Sequence, residues 1–266
     1  MIWITSVTHQ LDYSILDYGG LTVLSELKKT MPKENYIYFG DTARVPYGSK
    51  SKETIIEYSR QIVRFLISKG VKLIVIACGT ASSLAFETIS KEFDVPIINV
   101  ILPSAKIIKD KKIGVIATKA TIKSGAWEKE ILKYNKDANI TSKSCPLFVP
   151  IVEEGLANTK IADDVISLYL NSFKKKKIDS LVLGCTHYPI LQNKIDTFFD
   201  KKVKLININK ACAVEVKNYL SNHKLLNTSS STKYTYAYTS DSASNFKANA
   251  KTFCDNEFDM VKKIKF

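Results

Sequence analysis

Two stretches of the sequence follow one plan. Val71-Lys-Leu-Ile-Val-Ile-Ala-Cys-Gly-Thr80 and Ile178-Asp-Ser-Leu-Val-Leu-Gly-Cys-Thr-His187 each run from an apolar segment through a small residue to a cysteine. A hydroxyl or imidazole follows, and then a helical pattern. The two cysteines, Cys78 and Cys185, lie 107 residues apart. A thiol ionises near pH 8.5, and lower when it sits at a helix N-terminus beside donors. Thr80 and Thr186 would be such neighbouring donors. One thiolate and one thiol on opposite sides of a planar carbanion form an acid–base pair. One removes a proton and the other returns it from the far face, which inverts a stereocentre without a cofactor. His187 would orient Cys185 or take its proton. The competing reading is packing, because cysteine is among the most buried residue types. The repeated context weighs against it. Cys145, Cys212 and Cys254 have no such context and read as structural.

The elements that must position these thiols alternate short apolar runs with longer amphipathic stretches. That alternation is the pattern of an α/β fold with parallel sheets. Strands are expected at 37–39, 73–77, 96–101, 113–117, 180–183, 203–206 and 234–238. Helices are expected at 51–69, 81–91, 118–134, 158–173, 190–199 and 242–254, with a polar surface loop over 225–233. Residues 2–7 could supply a first strand. In open α/β sheets the ligand crevice lies at the carboxyl ends of the strands, where both cysteines fall.

Composition narrows the class. The 266 residues are 45% hydrophobic and 24% charged, as in an ordinary globular protein. No apolar run approaches the roughly 18 residues of a membrane span, so no membrane partner is expected. Met1-Ile-Trp-Ile-Thr-Ser-Val7 has neither a basic n-region nor a cleavage site, which points to a cytoplasmic protein with reduced thiols. No CxxC pair occurs, and His9, His187 and His223 lack ligand spacing, so no metal site is expected. The net charge of +13 invites a nucleic-acid reading. Against it, only Arg44, Arg60 and Arg64 carry the planar fork that phosphate and base readers favour, and the lysines are spread along the chain.

Five motifs resemble those of bacterial glutamate racemases, in family order. They are Gly40-Asp-Thr-Ala-Arg-Val-Pro-Tyr-Gly48, Ala77-Cys-Gly-Thr-Ala81, Gly114-Val-Ile-Ala-Thr118, the stretch from Cys145 to Gly155, and Leu183-Gly-Cys-Thr-His-Tyr-Pro-Ile-Leu191. The similarity runs from about Gly19 to the final helix. It implies a cofactor-independent amino-acid racemase that acts on glutamate and supplies D-glutamate for peptidoglycan. It implies two similar α/β lobes with mainly parallel sheets, residues 1–98 with about 208–266 and residues 99–207, and an active site in the cleft between them. A homodimer is left open. Carried over by position, Cys78 and Cys185 would exchange the α-proton, with His187 and Glu154 assisting; Glu153 is the neighbouring alternative. Asp17, Tyr18, Tyr47, Gly48, Gly79, Thr80, Thr186 and His187 would bind substrate. Asp41 also matches the family, although a loop aspartate satisfying local donors would look the same.

Three stretches depart from the family pattern. The opening Phe-Asp-Ser-Gly-x-Gly-Gly is replaced by Ser14-Ile-Leu-Asp-Tyr-Gly-Gly20. Ungapped alignment puts Ile15 and Leu16 at the binding positions, and a two-residue deletion puts Asp17 and Tyr18 there. Gly79 replaces the asparagine after the first cysteine, and Ile208-Asn-Lys210 stands where Ile-Asp-Ser is expected. Two further readings therefore stay open: a relative with altered substrate, such as aspartate, and a non-catalytic binding protein whose basic surface meets nucleic acid.

Overall fold

The computed structural model describes residues 4–7, 10–13, 19–229, 233–253 and 258–266. The first lobe opens with a hairpin, β1 (Ile4–Val7) paired antiparallel with β2 (Gln10–Tyr13). Helix α1 (Gly19–Thr30) buries Leu21, Leu24 and Leu27, three residues apart on one face. Strand β3 (Tyr36–Gly40) is buried along its whole length. Helix α2 (Lys52–Ile67) begins at Ser51, whose hydroxyl accepts the Thr54 amide at 3.2 Å, and buries Ile55, Ile62 and Leu66. Strand β4 (Ile74–Ile76) leads through Cys78 into α3 (Gly79–Leu84), then α4 (Phe86–Glu92) and β5 (Ile97–Asn99). The single helix expected at 81–91 is thus two, broken at Ala85.

The second lobe repeats the plan with α5 (Ile101–Ile107), β6 (Lys112–Ala117), α6 (Lys119–Lys123), α7 (Ala126–Tyr134), β7 (Asn139–Ser144) and α8 (Phe148–Glu153). It continues with α9 (Lys160–Lys176), β8 (Ser180–Leu183), α10 (Gln192–Phe198) and β9 (Lys204–Asn207). The sheet order is β7-β6-β8-β9, all parallel. Parallel strands need crossovers, and the amphipathic helices supply them.

The chain then returns to the first lobe. Helix α11 (Ile208–Asn222) packs on α1, and strand β10 (Thr235–Thr239) lies parallel between β3 and the last strand, β11 (Met260–Lys263). Helix α12 (Ala243–Phe253) covers this addition through Phe246. That ring is 2% exposed and packs 5.2 Å from the Tyr38 ring and 5.7 Å from Phe258, centre to centre. If this return is part of the core, Phe246→Ala lowers the unfolding free energy by about 3–5 kcal/mol, read from urea denaturation. A loss below about 1 kcal/mol would mean the segment is only laid on the surface.

Candidate active site

Each thiol stands at the carboxyl end of a buried parallel strand. Cys78 follows β4 and is half-buried, packed against the hydrophobic cores on both sides of it. The Cys78 carbonyl accepts the Ser82 amide at 2.8 Å, which seats the first turn of α3. Cys185 follows β8, is buried, and has its carbonyl held by the Tyr188 amide at 3.0 Å.

The two cysteine turns touch. A Cβ added to Gly79 would lie 2.6 Å from the Gly184 carbonyl oxygen, so only glycine lets the residue after Cys78 pass the residue before Cys185. A side chain at position 79 would require the two turns to shift apart. Beside the contact, three hydroxyls join the lobes. Thr80 Oγ1 lies 3.1 Å from Thr118 Oγ1 and 3.4 Å from Thr121 Oγ1, and the latter two are 2.9 Å apart.

On the second-lobe side a carboxylate, an imidazole and a thiol form one line. His187 is 1% exposed, with Nδ1 3.6 Å from Cys185 Sγ and Nε2 3.1 Å from Glu153 Oε1. The glutamate that reaches the imidazole is therefore Glu153. Glu154, which the sequence favoured, caps the C-terminus of α8 and is exposed, because one step along a helix turns the side chain by about 100°. Gly19 closes the other face of the ring, since a Cβ there would lie 2.2 Å from His187 Nδ1. Thr186 is buried, and its carbonyl is held by the Thr22 hydroxyl at 2.8 Å and by Asn209 Nδ2 at 3.4 Å.

On the first-lobe side, Asp41 is fully buried. It takes Arg44 Nε at 2.7 Å and accepts the Tyr47 hydroxyl. Burial pushes the Tyr47 phenol well above its ordinary range; the Asp41 charge adds to this, and Cys78 pushes the same way to a smaller degree. Tyr47 is thus a fixed neutral donor whose hydroxyl is held by Asp41. Gly48 faces Thr118. Asp17 and Tyr18 lie outside the described residues.

Sequence reasoning passed over Thr22 and Thr121 in this site, and it met Asn209 only as a departure from the family pattern, without a role. Their types carry no signal alone, and only the fold brings them to the cysteine turns. Asn207 caps α11, its Oδ1 accepting the Asn209 and Lys210 amides at 3.0 and 3.4 Å.

Residues 21–216 match the family described as Asp/Glu/hydantoin racemase. A glutamate racemase of Aquifex aeolicus is 48% identical over 208 residues, covering 77% of this chain and 80% of its own length. The crystal structure of the Francisella tularensis glutamate racemase in complex with D-glutamate superposes with a TM-score of 0.90 at 35% identity. It covers 97% of this chain and 98% of that one. The Thermus thermophilus glutamate racemase, in complex with β-chloro-D-alanine, gives 0.89 at 35% identity over 98% and 99%.

The remaining buried thiols behave differently from reactive ones. Burial pushes Cys145 up to about 12 and raises Cys212 as well. At pH 8 a thiol with that ionisation constant is deprotonated in about one molecule in ten thousand. Iodoacetamide at pH 8 should therefore leave Cys145 and Cys212 unmodified in the native protein, as read by peptide mass spectrometry. Alkylation there as fast as in urea would contradict this.

Proposed function

The chain belongs to the Asp/Glu/hydantoin racemase family, and on that footing we propose that it interconverts L- and D-glutamate by passing the α-proton between two cysteines. The observation that supports this most directly is the contact of the two cysteine turns at Gly79 and Gly184, the residues next to Cys78 and Cys185 in the chain. In one direction a cysteine thiolate takes the α-proton, and its S–H bond forms as the α-C–H bond breaks. The electron pair left on carbon delocalises into the α-carboxylate. The thiol on the opposite face then gives its proton to that carbon, and its sulfur becomes the new thiolate. Charge and atoms balance with no cofactor, because acid and base exchange roles each turnover.

His187 and Glu153 prepare Cys185 for this work. A carboxylate beside Nε2 favours the tautomer with its proton there, which turns the Nδ1 lone pair toward the Cys185 thiol. The imidazole then removes the thiol proton and holds it as the imidazolium, stabilised by Glu153. On the other wall Tyr47 and Gly48 bind substrate beside Cys78, and Thr80 and Thr186 supply donors to its polar groups. Residues 1–98 with about 208–266 form one wall and 99–207 the other. The product D-glutamate would serve peptidoglycan synthesis.

Circular dichroism of L- or D-glutamate incubated with the protein tests the reading. Ellipticity should decay to zero from either enantiomer, and Cys78→Ala and Cys185→Ala should each lower the rate by at least about 100-fold. Glu153→Gln should lower kcat with little change in KM, whereas Glu154→Gln should leave both. Undiminished racemisation in either cysteine variant would sink the two-thiol assignment, and glutamate that keeps its rotation would sink the substrate.

A further inference from the structure

The lysines that look scattered in sequence are gathered by the topology of the second lobe. Strands β6, β7, β8 and β9 are parallel, so all four begin at the same edge of the sheet, opposite the end that carries Cys185. The segments leading into them, 109–112, 135–138, 174–179 and 200–204, contain eleven exposed lysines, four aspartates and neither arginine nor glutamate. That surplus of seven is more than half of the chain's net +13. Hydrogen bonds draw the segments into one surface. Asn135 Nδ2 donates to the Asp110 carbonyl at 2.8 Å, the Lys112 amide to the Asp179 carboxylate at 2.8 Å, and the Lys204 amide to the Asp179 carbonyl at 3.0 Å.

Two further features mark this edge. Lys177, Asp200 and Lys201 hold left-handed backbone, with φ of 49°, 54° and 58°. Glycine would take those positions with less strain, yet the chain keeps charged side chains there. The edge also has apolar groups beneath and beside its lysines. A groove of about 350 Å³ is lined by the buried Phe173 and Phe199 and the half-buried Val203, with the exposed Lys174, Lys177 and Lys202 beside them. Ile107 and Tyr134, 53% and 43% exposed, end the packed helices α5 and α7 that lead into β6 and β7.

We propose that this strand-entry edge of the second lobe docks on an anionic lipid bilayer. Lysines are hydrated point charges suited to a field of headgroup phosphates, and their stems lie along apolar surface while the ammonium reaches the interface. Exposed tyrosine favours the same boundary. Nucleic-acid readers instead use arginine forks and stacking aromatic platforms, and the three arginines of this chain all lie in the first lobe. No described helix is long and apolar enough to cross a membrane. The expectation of no membrane partner rested on the lack of such a span, and surface adsorption does not need one. Docked by this edge, the protein turns its cysteine end away from the bilayer.

Co-sedimentation of the intact protein with vesicles tests the proposal. Phosphatidylcholine vesicles containing about 30% phosphatidylglycerol should retain it and pure phosphatidylcholine vesicles should not, with retention lost between about 50 and 500 mM salt. Replacing Lys174, Lys175, Lys176 and Lys177 by Gln should lower the partition coefficient at least about tenfold, with melting temperature and glutamate racemisation unchanged. Equal retention on uncharged vesicles, retention indifferent to salt, or undiminished binding of the four-lysine variant would overturn it. So would release from the vesicles by duplex DNA or RNA at equal phosphate concentration, which would assign the edge to nucleic acid. Racemisation is read separately, so either reading can fail alone.

Discussion

The close approach of two peptide turns, one from each lobe, is the constraint around which this molecule is arranged. Gly79 passes the Gly184 carbonyl at a distance that admits no side chain, and Gly184 in turn lies against the Ile116 carbonyl and the Trp127 ring. Protein interiors are close-packed and barely compressible, so a contact of this kind limits the spacing of whatever flanks it. What flanks it here is a thiol on either side. The Thr80–Thr118–Thr121 hydroxyls lie next to the contact and hydrogen-bond across the same seam. Glycine at 79, where the family pattern has asparagine, is compatible with this spacing.

Each wall then holds a carboxylate whose partners are protein groups. Asp41 is matched by Arg44 and Tyr47, and Glu153 by His187. A substrate with two carboxylates therefore meets negative charges that are already paired. The first of these networks depends on the far end of the chain. The Arg44 guanidinium lies 4.1 Å from the centre of the Tyr58 ring and 5.0 Å from that of Phe266. Phe266 is brought there by β11, the strand that pairs with β10 beside β3. The returning C-terminal segment thus supports the wall that carries Cys78, and its apolar packing and its role beside the site are one feature.

Much of this was legible in the sequence because the cysteine motifs sit on strands buried on both faces, which read as short apolar runs. What escaped has identifiable physical causes. Strand β7, Asn-Ile-Thr-Ser-Lys-Ser, is a polar edge strand, and β11, with two exposed lysines, is another; neither has the apolar run that marks a central strand. Helix α11 begins directly after β9 at the Asn207 cap, leaving no loop to announce it. The choice between Glu153 and Glu154 turned on where α8 ends, and helix ends are the least determined feature of a local pattern. Thr80 meets Thr118 and Thr121 across 38 and 41 positions, and Thr22 and Asn209 meet the Thr186 carbonyl across 164 and 23, so no short window along the chain contains these contacts. The altered loop at Asp17 and Tyr18 lies outside the described residues.

The charge of +13 is the feature whose meaning topology changes most. In sequence the lysine runs stand beside apolar segments and look like solvent-facing decoration. A parallel sheet gives its two ends different roles, because every strand enters at one edge and leaves at the other. Cysteine, threonine and histidine follow the strand ends, and the lysines precede the strand starts. Strand β6 has six residues, which at about 3.3 Å each separates the two edges by about 20 Å. Screening in physiological salt acts over about 8 Å. The lysine edge is therefore more than two screening lengths from the cleft, too far to draw a dicarboxylate into it. Attraction of substrate does not account for most of the positive charge on this lobe, and whatever the lysine edge attracts, it does so at its own surface.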